Sequence, residues 1–225
     1  MKGKSITKNL EGYMEFKIQT GLRILEKNLT TTEIKAAAKF HLENTLTKKF
    51  QDYYLEILKN EKLLLNKEDY FSVFKVKYSL QRIDNEYLHF LEKSKKHILK
   101  LLRNEEFISL YHKYFFKQKI KRKDSYLEID LNSFFTKFVH TFYPDVFPAL
   151  DNSTKNLLSF DKGSFIFSFF CISTIYNRFI NVNPVTVKTI REIFNNESIK
   201  FRSETIAYSD IKLLDLILRR KANLD

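Results

Sequence analysis

This sequence predicts an all-α protein. Three observations carry that expectation: residues 1–124 hold no proline and only Gly3, Gly12 and Gly21, apolar residues recur at three- and four-residue spacing over long stretches, and the shorter units of the second half begin at recognisable helix caps. With 44% hydrophobic residues, 22 Phe and 12 Tyr, a sizeable core forms without staples. The organisation expected is a long-helix N-terminal region, 1–124, with a basic C-terminal end, packed on a compact multi-helix region, 125–225.

The opening residues, MKGKSITKNLEGYMEF, carry positive charge without the apolar run that a signal peptide places after it. Residues 30–60 start with threonine caps and Glu33, then set Ile34, Ala37, Ala38, His41, Leu42, Thr45 and Leu46 near one helical face. A break at 66–70, NKEDY, offers the next cap. Residues 71–102 then repeat apolar side chains at helical spacing through Phe74, Tyr78, Ile83, Tyr87, Phe90, Leu91, Ile98 and Leu101. Residues 104–123 predict a shorter helix that ends in the basic run KQKIKRK.

The second half is punctuated by Pro144, Pro148, Gly163 and Pro184. Residues 131–142 predict a helix capped by Asn132 or Ser133 and stopped ahead of Pro144, because the residue before a proline avoids helical geometry. Residues 149–158 restart with a choice of caps from Asp151 to Thr154. The apolar run 165–176, FIFSFFCISTIY, is shorter than the roughly 20 residues of a membrane span and predicts a buried core segment, helix or strand. Residues 183–194 start a helix with Pro184 in its first turn, and residues 208–220 close the chain with Ser209 or Asp210 as cap and Arg219 and Arg220 at the negative end of the helix dipole.

The formal charge of +12 is unevenly spread. Residues 93–123 hold eleven cations, Lys93, Lys95, Lys96, Lys100, Arg103, Lys113, Lys117, Lys119, Lys121, Arg122 and Lys123, against Glu105 and Glu106 alone, so this window carries +9. Such density repels itself, and a polyanion relieves it. The nucleic-acid-binding residues expected are Lys93, Lys96, Lys100, Lys113, Lys117, Lys119, Lys121, Arg122 and Lys123. HKYFFKQKIKRK, residues 112–123, mixes these cations with aromatics as phosphate neutralisation and base stacking require, although Tyr114, Phe115 and Phe116 equally suit the inner face of a helix. A lysine-rich face that is merely solvated is the competing reading.

Cys171 stands alone, so neither a disulfide nor a cysteine metal site is available, and an intracellular, cytoplasmic setting without membrane association follows. Four glycines leave no phosphate-loop or dinucleotide motif, and histidines 41, 89, 97, 112 and 140 form no ligand-spaced pair with carboxylates, so neither cofactor nor metal is expected.

The segment 137–158 places Lys137 and His140 one helical turn apart before two prolines and Asp151, a cation, an imidazole and a carboxylate expected to share one cleft as catalytic residues. TKFVHTFYPDVFPALDNS resembles a pattern found in small helical proteins of bacteria and phages, and is more distantly similar to the helix-hairpin-helix DNA glycosylases; the likeness covers 131–158 and the final helix. The resemblance implies DNA binding, a defence setting, Lys137 as the amine that captures the sugar carbon and Asp151 as the carboxylate that assists base departure. Residues 131–136 lack the glycine hairpin of that family, and Lys137 and Asp151 are closer in sequence than its pattern has them. RIDNEYLH, with Arg82 and His89 seven apart on an expected helix, resembles the HEPN ribonucleases, and the resemblance implies a phosphate-holding arginine and an acid–base histidine. The sequence thus predicts a nucleic-acid-binding helical protein; the alternatives are a HEPN-like ribonuclease and a non-catalytic protein-interaction module.

Overall fold

A computed structural model describes residues 2–43, 45–80, 83–123, 125–202 and 205–222. Among them the chain is all-α apart from one hairpin. In order come α1 (Lys2–Asn28), α2 (Thr31–Glu43), α3 (Thr45–Ile57), α4 (Glu61–Asn66), α5 (Tyr70–Lys77), α6 (Asn85–Lys93), α7 (Lys95–Arg103) and α8 (Phe107–Tyr114). The antiparallel hairpin β1 (Gln118–Arg122) and β2 (Ser125–Ile129) follows, then α9 (Asn132–Phe142), α10 (Asn152–Leu157), α11 (Phe165–Val182), α12 (Pro184–Arg202) and α13 (Asp210–Ala222). Two compact units divide the chain: Met1–Thr47 with Asp145–Asp225, and Lys48–Pro144. The boundary expected at residue 124 falls inside the second unit, where β1 and β2 pair across it with Gln118 opposite Ile129 and Arg122 opposite Ser125.

In the first unit α13 is the hub. It packs on α1, α2, α10, α11 and α12, and every residue from Ile211 to Leu218 is buried, the ionisable Lys212 and Asp215 included. A helix covered on all sides is a core helix. The run at 165–176 is helical, part of α11, which packs on α1, α12 and α13 and buries Phe169, Ile172, Ile175, Tyr176 and Phe179. Two of its hydroxyl groups bond within the helix, Ser173 to the Phe169 carbonyl at 2.8 Å and Thr174 to the Phe170 carbonyl at 2.9 Å. By length and composition α11 is the one described helix that could cross a membrane, and 44% of it is buried within the protein. Gly21 lets α1 approach it: a Cβ there would lie 2.3 Å from Ile175 Cδ1.

The second unit is built around aromatic rings. Phe71, Phe74, Phe115, Phe134 and Phe138 are fully buried, with ring centroids 5.4 Å apart for Phe71–Phe138, Phe74–Phe134 and Phe115–Phe134. Clustered rings of this kind add to the stabilisation from their buried area. The long helices expected over 30–60 and 71–102 are divided. α5 ends where Ser79 turns left-handed (φ 51°) and the Leu80 N–H reaches back to the Lys75 carbonyl at 2.9 Å; α7 ends in the same way at Glu105 (φ 56°), with the Glu106 N–H on the Leu101 carbonyl at 2.9 Å. Such helix ends favour glycine, and none stands at either position.

The helix expected over 104–123 also stops early, at Tyr114. Phe115 and Phe116 both donate their N–H to the Tyr111 carbonyl, and the chain then enters β1. Gln118, Ile120 and Arg122 alternate with Lys119 and Lys121, a period-2 pattern that buries Ile120 and exposes both lysines, as the two faces of a strand do. The basic run is therefore a β-strand and not the end of a helix.

Candidate nucleic-acid interface

Pairing separates the cations of 93–123 into classes. Lys95 is buried, ion-paired with Glu92 and bonded to the Lys67 carbonyl. Arg103 is exposed and grips Glu61 through Nε and Nη2. Arg122 is half-buried at the end of β1. Lys93, Lys96, Lys100, Lys113, Lys117, Lys119, Lys121 and Lys123 are all exposed, and no ion pair joins any of them to another described residue. These eight lie on α6, α7, α8, β1 and the segments flanking β1; α6 packs on α7 and on β1, and α7 packs on α8. On α7 the apolar stripe Ile98, Leu99, Leu101 and Leu102 faces inward, which leaves Lys96, Lys100 and Arg103 as an outward row.

Aromatic rings are interleaved with these ammonium groups. Lys113 Nζ lies 5.6 Å from the Tyr114 ring centre and Lys117 Nζ 5.4 Å from that of Phe116. The Tyr114 hydroxyl is 2.8 Å from His97 Nδ1, and its ring sits 5.6 Å from that of Phe90, which is 42% exposed.

The hairpin is tied to α6 by one carboxylate. Asp84, the N-cap of α6, accepts the Tyr87 N–H on Oδ1 at 2.7 Å and the Lys121 N–H of β1 on Oδ2. At the hairpin base the Lys117 N–H donates to Asp130 Oδ1 at 3.0 Å and the Leu131 N–H to the Phe115 carbonyl at 2.7 Å. Across the strands Tyr126 lies opposite Lys121, and its hydroxyl donates to Glu86 Oε2 of α6 at 3.1 Å, which holds its proton above the usual phenol range. Between helix and hairpin opens a cleft of about 320 Å³ lined by Asp84, Glu86, Tyr87, Phe90, Lys117, Gln118, Lys119 and Tyr126. Phe90, Tyr126, Asp84 and Glu86 are additions that sequence reasoning missed as site residues. Phe90 fits an apolar helical repeat in sequence, yet its side chain is largely outside the core.

The expected catalytic group is arranged differently. Lys137 and His140 belong to the second unit and Asp151 to the first, and each is engaged locally. His140, expected in an open cleft, is 0% exposed: its Nε2 is hydrogen-bonded to Tyr54 Oη at 2.8 Å and its ring stacks on Tyr54 at 5.7 Å, tying α9 to α3. Lys137 is half-buried with Nζ 5.9 Å from the Tyr78 ring centre, and it lines a second cleft of about 320 Å³ with Ser79, Leu80, Asn132 and Ser133. Asp151 is the N-cap of α10, accepting the Thr154 N–H at 2.8 Å, and its Oδ2 lies 3.1 Å from Arg219 Nε. Arg219 also binds Asp215 and the Ala149 carbonyl, so Asp151 is built into an ion network on α13. His89 is exposed on α6, whereas Arg82 lies outside the described residues; α6 begins only after Asp84, and Ile83 and Asp84 are not helical, so the one continuous helix expected through His89 is interrupted there.

Cys171 is buried and its thiol is pushed up to about 11 by desolvation, which removes it as a nucleophile at neutral pH. No cluster of three or more His, Cys, Asp or Glu among the described residues has the arrangement of a metal site. No family model matches the chain, nor does any curated protein or solved structure.

Proposed function

We propose that this protein binds nucleic acid through α6, α7, α8 and the β1–β2 hairpin. The observation that carries the reading is the set of eight exposed lysines without an ion-pair partner among the described residues, interleaved with aromatic rings. Ammonium groups that are not neutralised within the protein stand ready to displace counterions from a phosphate backbone, which is the main source of sequence-independent affinity. Two of them sit where local conformation favours another residue: Lys117 (φ 47°) and Lys123 (φ 49°) flank β1 in left-handed geometry that glycine adopts at less cost. Keeping lysine at both sites fits a use for the charge.

The reading is of binding. His140 is closed off by Tyr54 and Asp151 is occupied by its cap bond and Arg219, so no catalytic step is proposed for them. Fluorescence anisotropy with labelled DNA and RNA oligonucleotides tests it. Affinity is expected to fall by a factor of about ten or more between about 50 and 200 mM salt, and equally for unrelated sequences. Absence of binding in dilute buffer overturns the proposal.

A further inference from the structure

We infer that the cleft between α6 and the hairpin receives one unstacked base, which makes single-stranded nucleic acid the preferred ligand; this rests on the phosphate-binding reading above. Four features of the cleft converge on that ligand.

The first is size and lining. A space of about 320 Å³ is at the lower end of small-ligand pockets, and its lining sets the rings of Tyr87, Phe90 and Tyr126 among charged and polar side chains. The second is the exposure of the rings. Phe90 is 42% and Tyr126 54% exposed, and they reach the cleft from two different elements, one helical and one a strand. A base in a duplex hides its faces in the stack, whereas an unpaired base offers them to such rings.

The third is charge. Asp84 and Glu86 line the cleft together with Lys117 and Lys119. Carboxylates repel phosphate and accept hydrogen bonds from base amino groups, while lysines attract phosphate. The mixture therefore suits a base inside and its flanking phosphates on Lys117, Lys119 and the neighbouring Lys121. The fourth is rigidity. Asp84 pins β1 to the start of α6, and Glu86 fixes the Tyr126 hydroxyl, so the ring is oriented before any ligand arrives. Preorganisation of this kind reduces the ordering cost of binding.

The test uses the full chain, a 12-nucleotide single strand carrying one 2-aminopurine, as DNA and as RNA, and the corresponding duplexes. The wild type is expected to prefer single strands over duplex and to change the 2-aminopurine emission on binding. The Phe90→Ala/Tyr126→Ala double variant is expected to bind single strands at least about tenfold more weakly, a larger loss than on duplex, with the salt slope retained. Tyr126→Phe, which keeps the ring and removes the Glu86 bond, is expected to fall between the two. Circular dichroism and the denaturation midpoint confirm that the variants are folded; both rings lie outside the core, so the midpoint should hold. Should the double variant match the wild type on single strands while salt-dependent binding persists, the base cleft is refuted and the phosphate surface stands. Should no oligonucleotide bind the wild type, the phosphate surface fails and the cleft with it.

Discussion

The two units differ in how many of their cations are tied into ion pairs between elements. By formal charge they are close, +5 for Met1–Thr47 with Asp145–Asp225 and +7 for Lys48–Pro144. In the first, cations cross-link elements: Arg178 pairs with Glu15 from α11 to α1, Arg191 with Asp210 from α12 to α13, Arg220 and Lys221 with Glu33 from α13 to α2, and Arg219 of α13 with Asp151 at the start of α10, besides Asp215 on its own helix. In the second, Lys95 pairs with Glu92 and Arg103 with Glu61, and the interior is held by phenylalanine rings. The lesson is that charge count does not measure what a surface offers a partner; pairing does.

The largest effect is expected from removing a carboxylate in the first unit. Asp215 is 0% exposed between Lys212 Nζ at 3.5 Å and Arg219 Nη2 at 3.1 Å. Asp215→Ala leaves Lys212 buried without that charge, and a loss of about 3–5 kcal/mol is expected in chemical denaturation. A loss below about 1 kcal/mol would show that the network is incidental to the fold.

Next in size is a pH effect from the same unit. His41 Nε2 donates to the Leu216 carbonyl at 3.1 Å, and burial, reinforced by Arg219, Lys212 and Arg220, lowers its pKa from 6.5 to about 4. Neutral in the folded chain, His41 gains a proton on unfolding between those values. Its contribution is therefore fully present above pH 6.5, declines as pH falls through the window and levels off below about 4, a change of up to about 3 kcal/mol. His41→Gln, which can still donate to the carbonyl, is expected to flatten that part of the stability–pH curve.

A smaller change tests the second unit's interior. Tyr54→Phe leaves His140 Nε2 buried without its hydroxyl partner, at an expected cost of about 1–3 kcal/mol, with oligonucleotide affinity unchanged. A large loss of affinity at wild-type stability would instead return His140 to the functional site.

The smallest stability effect is also the most selective. Glycine at position 117 relieves left-handed backbone, so Lys117→Gly is expected to hold or raise stability by up to about 1 kcal/mol while weakening oligonucleotide binding. Stability and binding moving down together would mean that Lys117 serves the hairpin and not a ligand.

Much of this architecture was legible in the sequence because helix existence follows apolar spacing, and caps such as Asp151 and the proline at 184 mark starts through local chemistry. The stops were concealed. Ser79, Glu105 and Ser159 occupy left-handed positions that glycine would have advertised, so stretches that look continuous are cut into short helices. The hairpin was hidden by its lysines: KQKIKRK looks like the solvated end of a helix, and only its pairing with SYLEI, a long-range backbone contact, makes it a strand. The cations of the site were legible, but their availability was not. Glu61 reaches Arg103 from 42 residues away, and Lys95 is buried by packing that no local pattern announces. His140 likewise lies on the expected helix, yet Tyr54, 86 residues distant, decides that it faces the core.

The central claim is that the exposed lysines around the hairpin meet phosphate, and the salt slope of binding measures this most directly. Affinity for one oligonucleotide is to be followed against salt for the wild type and for Lys117→Gln/Lys119→Gln/Lys121→Gln. The account predicts a logarithmic slope shallower in the variant by about 0.7 to 0.9 for each phosphate that is no longer neutralised, so by about two to three in all. An identical slope in the two proteins would contradict it.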